Sequence, residues 1–500
     1  MLLTGTAALA HAQVHASVSC AQLASNPALR ALALTATTVP AGSLSALRGM
    51  DAHTMLRNVP EHCRVVAILQ SVPDSRIQVE IWLPLPGAWN GKLLGTGNGG
   101  YSSNIDLPQF AEAMRRGFAV AASDTGHAGG SLTFGAGHPQ KIRDWAYRST
   151  HAMAETLRKV AAAYYGRSAQ HAYFDGCSTG GQQALSEAER YPGDFDGIVA
   201  GDPGYDRIAL NAMFLWSWLV THPKDGPAFP AAKLPLLANK VVQECGGRDG
   251  YAPDVIADPE ECHPRLETLR CSGADSANCF TSAELRQAET LYRGPRDAKT
   301  GTALYPGWPA GSERGWGAYF VGKPEPARLE FWRLWVFNNP NWDPRSFDFV
   351  RDRDAARAKL PYVDALDSNL RPFEQRDGKL LMYHGWSDPV VPPEDSIAYY
   401  QAVEKNFGAS PAGFIRLFMV PGMYHCSGGP GATEFDPLTA LDTWVTHGTA
   451  PDRILAEHRS DGQVDRTRPL CPYPQRAFWS GHGDRNEAAS FACKDLRQER

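Results

Sequence analysis

The pentapeptide Gly176-Cys177-Ser178-Thr179-Gly180 sets a serine among small residues in the pattern G-x-S-x-G. A serine hydroxyl is a weak nucleophile until a base takes its proton, so such a serine needs a histidine and an acid to orient it. The flanks matter more than the pattern. His171-Ala172-Tyr173-Phe174-Asp175 reads as a strand, and Gly181-Gln182-Gln183-Ala184-Leu185-Ser186-Glu187-Ala188-Glu189-Arg190 as a helix. A sharp strand-to-helix turn lifts Ser178 above a sheet, at a helix N-terminus whose dipole favours developing negative charge. The competing reading, a glycine-rich turn whose serine only caps a helix, leaves the preceding strand unexplained.

The partners are expected downstream in the order acid, then histidine. Lys379–Tyr383 reads as a strand, and the loop after it, His384-Gly385-Trp386-Ser387-Asp388-Pro389-Val390-Val391-Pro392, carries Asp388 as the acid. Ile415–Val420 is the next strand, and Pro421-Gly422-Met423-Tyr424-His425-Cys426 carries His425 as the base. Three loops at strand C-termini thus match the α/β-hydrolase order. His127 and His151 precede the serine and His384 lies at a strand end, so these three are read as structural or pocket-lining. An oxyanion hole needs two N–H donors. Thr179 supplies the first, and Gly99 or Gly100 of Gly95-Thr96-Gly97-Asn98-Gly99-Gly100-Tyr101 the second. A phosphate-binding reading of this glycine loop is weaker, because no clear helix opens after Tyr101.

The elements that must hold these loops fit an α/β fold. Strand-like runs at 64–70, 76–83, 92–95, 119–122, 172–174, 197–200, 379–383 and 415–420 alternate with helical patterns at 149–165, 181–191 and 393–407. The expectation is a mostly parallel sheet forming an α/β-hydrolase core in two parts, 17–203 and 376–500. Between them, residues 204–375 are rich in Trp, Pro and Gly, hold four of the ten cysteines, and break the alternation; they read as an inserted lid domain. The first 16 residues are small and apolar, with Ala10-His11-Ala12 as an A-x-A cleavage site, and read as the remnant of a secretory signal. With 43% hydrophobic and 21% charged residues the chain of 500 is neither disordered, collagenous nor a coiled coil. A net charge of -5 and the lack of Lys/Arg runs argue against nucleic acid and anionic membranes as partners. No apolar run reaches the ~18 residues of a membrane span.

Ten cysteines and no CxxC pair suit five disulfides in an oxidising compartment, so a secreted or periplasmic protein is expected. Proximity in sequence suggests Cys245–Cys262, Cys271–Cys279 and Cys471–Cys493. Cys177 precedes Ser178 and Cys426 follows His425, so if the serine and histidine meet, their neighbours can be bridged. Cys20–Cys63 is then left by elimination.

With Cys177-Ser178, Asp388 and His425-Cys426, the chain resembles the tannase and feruloyl esterase family. Asn98-Gly99-Gly100, Ser123-Asp124-Thr125-Gly126-His127, Tyr191-Pro192-Gly193-Asp194-Phe195-Asp196-Gly197 and Cys471-Pro472-Tyr473-Pro474 look like further family blocks. The resemblance implies a secreted serine esterase with a lid between Ser178 and Asp388. Its substrates would be small aromatic esters of the hydroxycinnamate (feruloyl) type, or galloyl esters, or mono(2-hydroxyethyl) terephthalate. No cofactor is required for this chemistry. A non-catalytic phenolic-binding protein on the same fold would be expected to lack a member of the triad. Lid aromatics such as Trp308, Trp316, Phe320, Phe331 and Trp335 either grip the acyl group or form the lid's own core, the latter reading being preferred for most. One block departs: family lids carry an acidic calcium loop, but here Gly246 and Pro253 stand at two aspartate positions. Asp249, Tyr251 and Asp254 remain as calcium candidates, and the loss of two carboxylates counts against a bound ion.

Overall fold

The computed structural model describes residues 18–43, 58–408 and 412–495. The stretch read above as a signal remnant lies outside the described residues.

Nine strands form one sheet in the order β1-β2-β3-β5-β4-β6-β7-β8-β9. β1 (Ala33–Val39), β2 (His62–Leu69) and β3 (Ile77–Pro84) pair antiparallel, and β3 meets β5 (Ala119–Ser123) antiparallel. From β5 onward the pairing is parallel, through β4 (Lys92–Thr96), β6 (His171–Cys177), β7 (Gly197–Gly201), β8 (Lys379–Gly385) and β9 (Ile415–Val420). Every residue of β5, β7 and β8 is buried, as expected of strands covered on both faces. Alternate side chains feed opposite layers. Phe174 packs with Leu157 and Ile198 on one side, and Tyr173 with Val199, Leu441 and Trp444 on the other. The helices α1 (Leu107–Arg115), α2 (Ser149–Tyr165) and α3 (Thr179–Arg190) lie in the first part of the chain.

Between β7 and β8 the chain builds a helical unit of α4 (Arg207–Thr221), α5 (Leu234–Cys245), α6 (Ser282–Arg293) and α7 (Phe349–Lys359). Trp308, Trp316, Phe320, Phe331 and Trp335 are each at most 2% exposed and pack in one cluster, so these five form a core. That cluster takes in Tyr101, Leu132 and Trp145 from the sheet's own loops, and Trp335 Nε1 donates to the Leu132 carbonyl at 2.7 Å. Burying each such ring contributes about 1.5–3 kcal/mol, which fastens the helical unit to the sheet.

The helix α8 (Pro393–Phe407) lies between β8 and β9, and after β9 come α9 (Pro437–His447) and two hairpins, β10 (Ile454–Ser460) with β11 (Gln463–Leu470) and β12 (Gln475–Trp479) with β13 (Phe491–Asp495). Five disulfides join Cys20 to Cys63, Cys177 to Cys426, Cys245 to Cys262, Cys271 to Cys279 and Cys471 to Cys493. Among the described residues no helix is long and apolar enough to cross a membrane.

Candidate active site

The strand β6 ends at Cys177, and Ser178 turns the chain into α3 with φ 65° and ψ -117°. A non-glycine residue held there costs about 1–3 kcal/mol, which the surrounding packing must offset. The turn closes only because glycines let backbones touch. A Cβ on Gly176 would lie 2.5 Å from the Gly180 carbonyl oxygen, and one on Gly97 2.4 Å from the Gly180 Cα. The glycine loop after β4 thereby rests directly on the serine turn. Asn98 holds it there: its N–H donates to Gln183 Oε1 at 3.0 Å, and its Nδ2 donates to the carbonyls of Asn104 and Ser123 at 3.1 and 3.0 Å.

The loops after β8 and β9 bring the two expected partners to the serine. His425 Nε2 is 2.8 Å from Ser178 Oγ, and His425 Nδ1 is 2.7 Å from Asp388 Oδ2. A neutral imidazole in this setting accepts from the serine and donates to the carboxylate. Asp388 is wholly buried, and its Oδ1 accepts the N–H groups of Val390 and Val391 at 2.6 and 3.1 Å. Burial would raise its carboxyl, but the charges and hydrogen bonds of His425 and His384 outweigh that and hold it well below the usual carboxylate range. It therefore stays ionised wherever His425 works. The Cys177–Cys426 bridge, with Cα atoms 5.9 Å apart, ties the residue before the serine to the residue after the histidine.

Ser178 and His425 face a cavity of about 790 Å³ whose wall includes Gly99, Gly100, Val390 and, from the helical unit, Tyr319 and Arg328. Nothing lies within 4 Å of where a Cβ would stand on Gly99 or Gly100, so their backbone is open to the cavity. The Thr179 amide opens α3 beside Ser178, and its hydroxyl accepts from Arg207 Nη2 at 2.8 Å. Arg207, a buried guanidinium pushed down to about 10 by desolvation, also donates to Gln182 Oε1 at 2.8 Å and so braces the first turn of α3. No pattern in the sequence marks Arg207 or Arg328.

The other histidines are engaged elsewhere. His127 Nε2 meets the Tyr101 carbonyl at 2.9 Å and its ring stacks on Phe134. His151 pairs with Asp194 at 2.5 Å and stacks on Tyr191. His384 is buried behind Asp388.

Of the calcium candidates, Tyr251 sets its ring edge-on to Phe491, with centroids 5.9 Å apart. Asp254 is exposed, Asp249 is half-buried, and among the described residues neither belongs to a cluster of three possible ligands. A Cβ on Gly246 would stand 2.0 Å from the Pro253 carbonyl oxygen, so no aspartate fits there. Arg476 instead lies among the nearby acids, 2.6 Å from Asp258 Oδ2 and 3.2 Å from Glu261 Oε1. These residues do not fit a calcium ion, and a guanidinium supplies the positive charge. Chelator is accordingly expected to leave Tm unchanged, whereas Arg476→Ala costs about 3 kcal/mol by stranding the largely buried Asp258 carboxylate. Differential scanning calorimetry with EDTA or added calcium checks this, and a calcium-dependent rise in Tm would contradict it.

A mostly parallel sheet with a serine at a strand-to-helix turn, and an acid and a histidine on the following strand ends, defines an α/β-hydrolase. A sequence profile described as tannase and feruloyl esterase matches residues 63–494, and the chain belongs to that family of carboxylic ester hydrolases. It is 34% identical to an uncharacterized esterase of Xanthomonas campestris, over 96% of this chain and 92% of that one. It is 33% identical to a probable feruloyl esterase B of Aspergillus clavatus, over 86% of each chain. The crystal structure of an esterase from Aspergillus oryzae superposes with a TM-score of 0.87 at 29% identity, covering 95% of this chain and 99% of that one.

Proposed function

We propose that the protein is a serine esterase that cleaves small esters of aromatic acids, of the hydroxycinnamate (feruloyl) type, through an acyl-enzyme. The observation that carries this reading is the continuous relay from Ser178 through His425 to Asp388, at 2.8 and 2.7 Å, opening onto the cavity. Ser178 Oγ attacks the ester carbonyl carbon while His425 takes its proton. The N–H groups of Thr179 and of Gly99 or Gly100 receive the oxyanion. On collapse His425 gives the proton to the departing alcohol, and water, deprotonated by the same imidazole, releases the acid. The aromatic acyl preference is supported by the similarity to a probable feruloyl esterase B and by the rings lining the site. Five disulfides support work in an oxidising, exported setting.

Arg328 favours a second reading, in which the acyl ring carries a carboxylate, as in mono(2-hydroxyethyl) terephthalate. Its backbone holds φ 60°, and its guanidinium lies over the Phe214 ring, 4.5 Å from the centroid. Among the described residues its side chain makes no hydrogen bond, and Nη1 is sealed from solvent without a partner. Burial pushes this guanidinium below its ordinary pKa. An unpaired cation in an ester pocket costs free energy that an anionic substrate would recover. Arg328→Leu is expected to lower kcat/KM for mono(2-hydroxyethyl) terephthalate about 100-fold, the worth of a charge-assisted pair, while methyl ferulate changes only a few-fold. Equal losses on both esters would contradict this second reading. The first reading is tested by initial rates on methyl ferulate, methyl gallate and mono(2-hydroxyethyl) terephthalate, with Ser178→Ala as the blank. A clear preference among the three names the acyl group. Rates equal to the blank on all three would overturn the proposed substrate class.

A further inference from the structure

Behind the relay lies a second histidine that the reaction as written does not use. Asp202, at the end of β7, His384 and Asp388 have fully buried side chains. His384 Nε2 stands 3.3 Å from Asp388 Oδ2, the same oxygen that accepts from His425 Nδ1. The same nitrogen is 3.0 Å from the Val391 carbonyl and 3.7 Å from Asp202 Oδ1, while Nδ1 is 2.7 Å from Ser396 Oγ. The Val391 carbonyl and the Asp388 carboxylate can only accept from this ring, while the Ser396 hydroxyl accepts when Nδ1 carries a proton. Asp202 Oδ1 is itself fixed by the Gly385 N–H at 3.0 Å.

We propose that His384 is a positioning residue carried as an imidazolium, which shares the Asp388 carboxylate with His425 and thereby lowers the basicity of His425. The inference rests on the reading of Ser178, His425 and Asp388 as the catalytic relay. Two buried carboxylates facing one imidazole repel each other, and a second proton on that imidazole relieves the repulsion. Desolvation opposes the charge, but Asp202 and Asp388 overcome it and raise His384 to about 9. Of the titratable groups facing it, Asp202 is itself raised to about 7 by burial although the charge of His384 draws it down, and Glu394 and Asp395 on α8 are raised by burial to about 7 and about 8. All three carboxyls gain charge only as pH rises past those values, which strengthens the cation.

The sign follows from charge. A cation beside Asp388 competes with protonated His425 for the same oxygen, so removing it stabilises protonated His425. The acid limb of kcat/KM then moves to higher pH. His384→Gln keeps a donor amide and deletes the charge. Its expected acid limb lies about one pH unit above that of the unaltered enzyme, a tenfold loss on the acid side. The alkaline plateau is expected to fall no more than a few-fold. A folded Gln variant with an unmoved limb, or with equal loss at every pH, would show that the residue only packs and would overturn the proposal. Ser396→Ala removes the acceptor of Nδ1–H and leaves the ring in place, so it decides the matter where the Gln variant does not fold. It should shift the limb in the same direction by a smaller step, and no shift contradicts the proposal. Both variants are read with the best of the three esters above. If Ser178→Ala keeps activity, the relay itself is wrong; if it is inactive while both limbs stay put, only the role of His384 falls.

Discussion

Ser178→Ala is expected to lower kcat by about a millionfold on any ester the enzyme accepts, while leaving the thermal unfolding midpoint within a degree or two of the parent. In the proposed mechanism, loss of the nucleophile removes the covalent route as a whole, because His425 and Asp388 then have nothing left to activate. The fold is spared because the hydroxyl makes one bond, to His425, at the cavity wall. The strain at φ 65° is indifferent to the change, since Ala and Ser share the same Cβ. Steady-state rates and calorimetry on the same preparation check both halves. A folded variant with rates near the parent would remove Ser178 from the mechanism.

The second large effect concerns stability. Cys177→Ala combined with Cys426→Ala opens a covalent loop whose ends are 249 residues apart. The chain-entropy relation assigns about 5 kcal/mol to a loop of this length. Chemical denaturation with the other four disulfides intact should show a loss of that order. The catalytic consequence differs in kind. The bridge anchors Cys177 and Cys426, the neighbours of Ser178 and His425, and the φ angles of 65° at Ser178 and 63° at Cys426 are both unusual for non-glycine backbone. Freed of it, the two loops are expected to hold the 2.8 Å contact less often, so kcat falls even under conditions where the double variant stays folded. Unaltered kcat in the folded variant would show that sheet packing alone positions the pair.

What could be read from the residues, and what could not, follows from how the fold encodes each part. Ser178, Asp388 and His425 each follow a short, strongly apolar strand, and β7 and β8 are buried throughout, so their runs stand out. Chain order then selects the acid and the base. The pairing of Cys177 with Cys426 was legible because it follows from the meeting of the residues beside them. The strand β1, Ala-Leu-Thr-Ala-Thr-Thr-Val, was not legible, because it lies at the sheet edge with no fully buried residue. The hairpins β10–β13 escaped for a related reason: outward residues such as Gln463 and Asp465 blur the alternation. Arg328 and Tyr319 reach the cavity from a helical unit with no repeating pattern to aim them. Sequence order makes His384 structural or pocket-lining; it is buried behind the triad, and only the three-dimensional approach of Asp202 from β7 reveals its charged surroundings.

The most direct test of the central claim is to trap the covalent intermediate. The enzyme is treated with a fluorophosphonate that mimics the tetrahedral adduct, digested, and mapped by mass spectrometry. One phosphonyl group on the peptide carrying Ser178, absent from the Ser178→Ala protein and strongly slowed in His425→Ala, is the predicted result. Labelling of another residue, or undiminished labelling of the Ser178→Ala protein, would contradict the assignment of Ser178 as the acylated nucleophile.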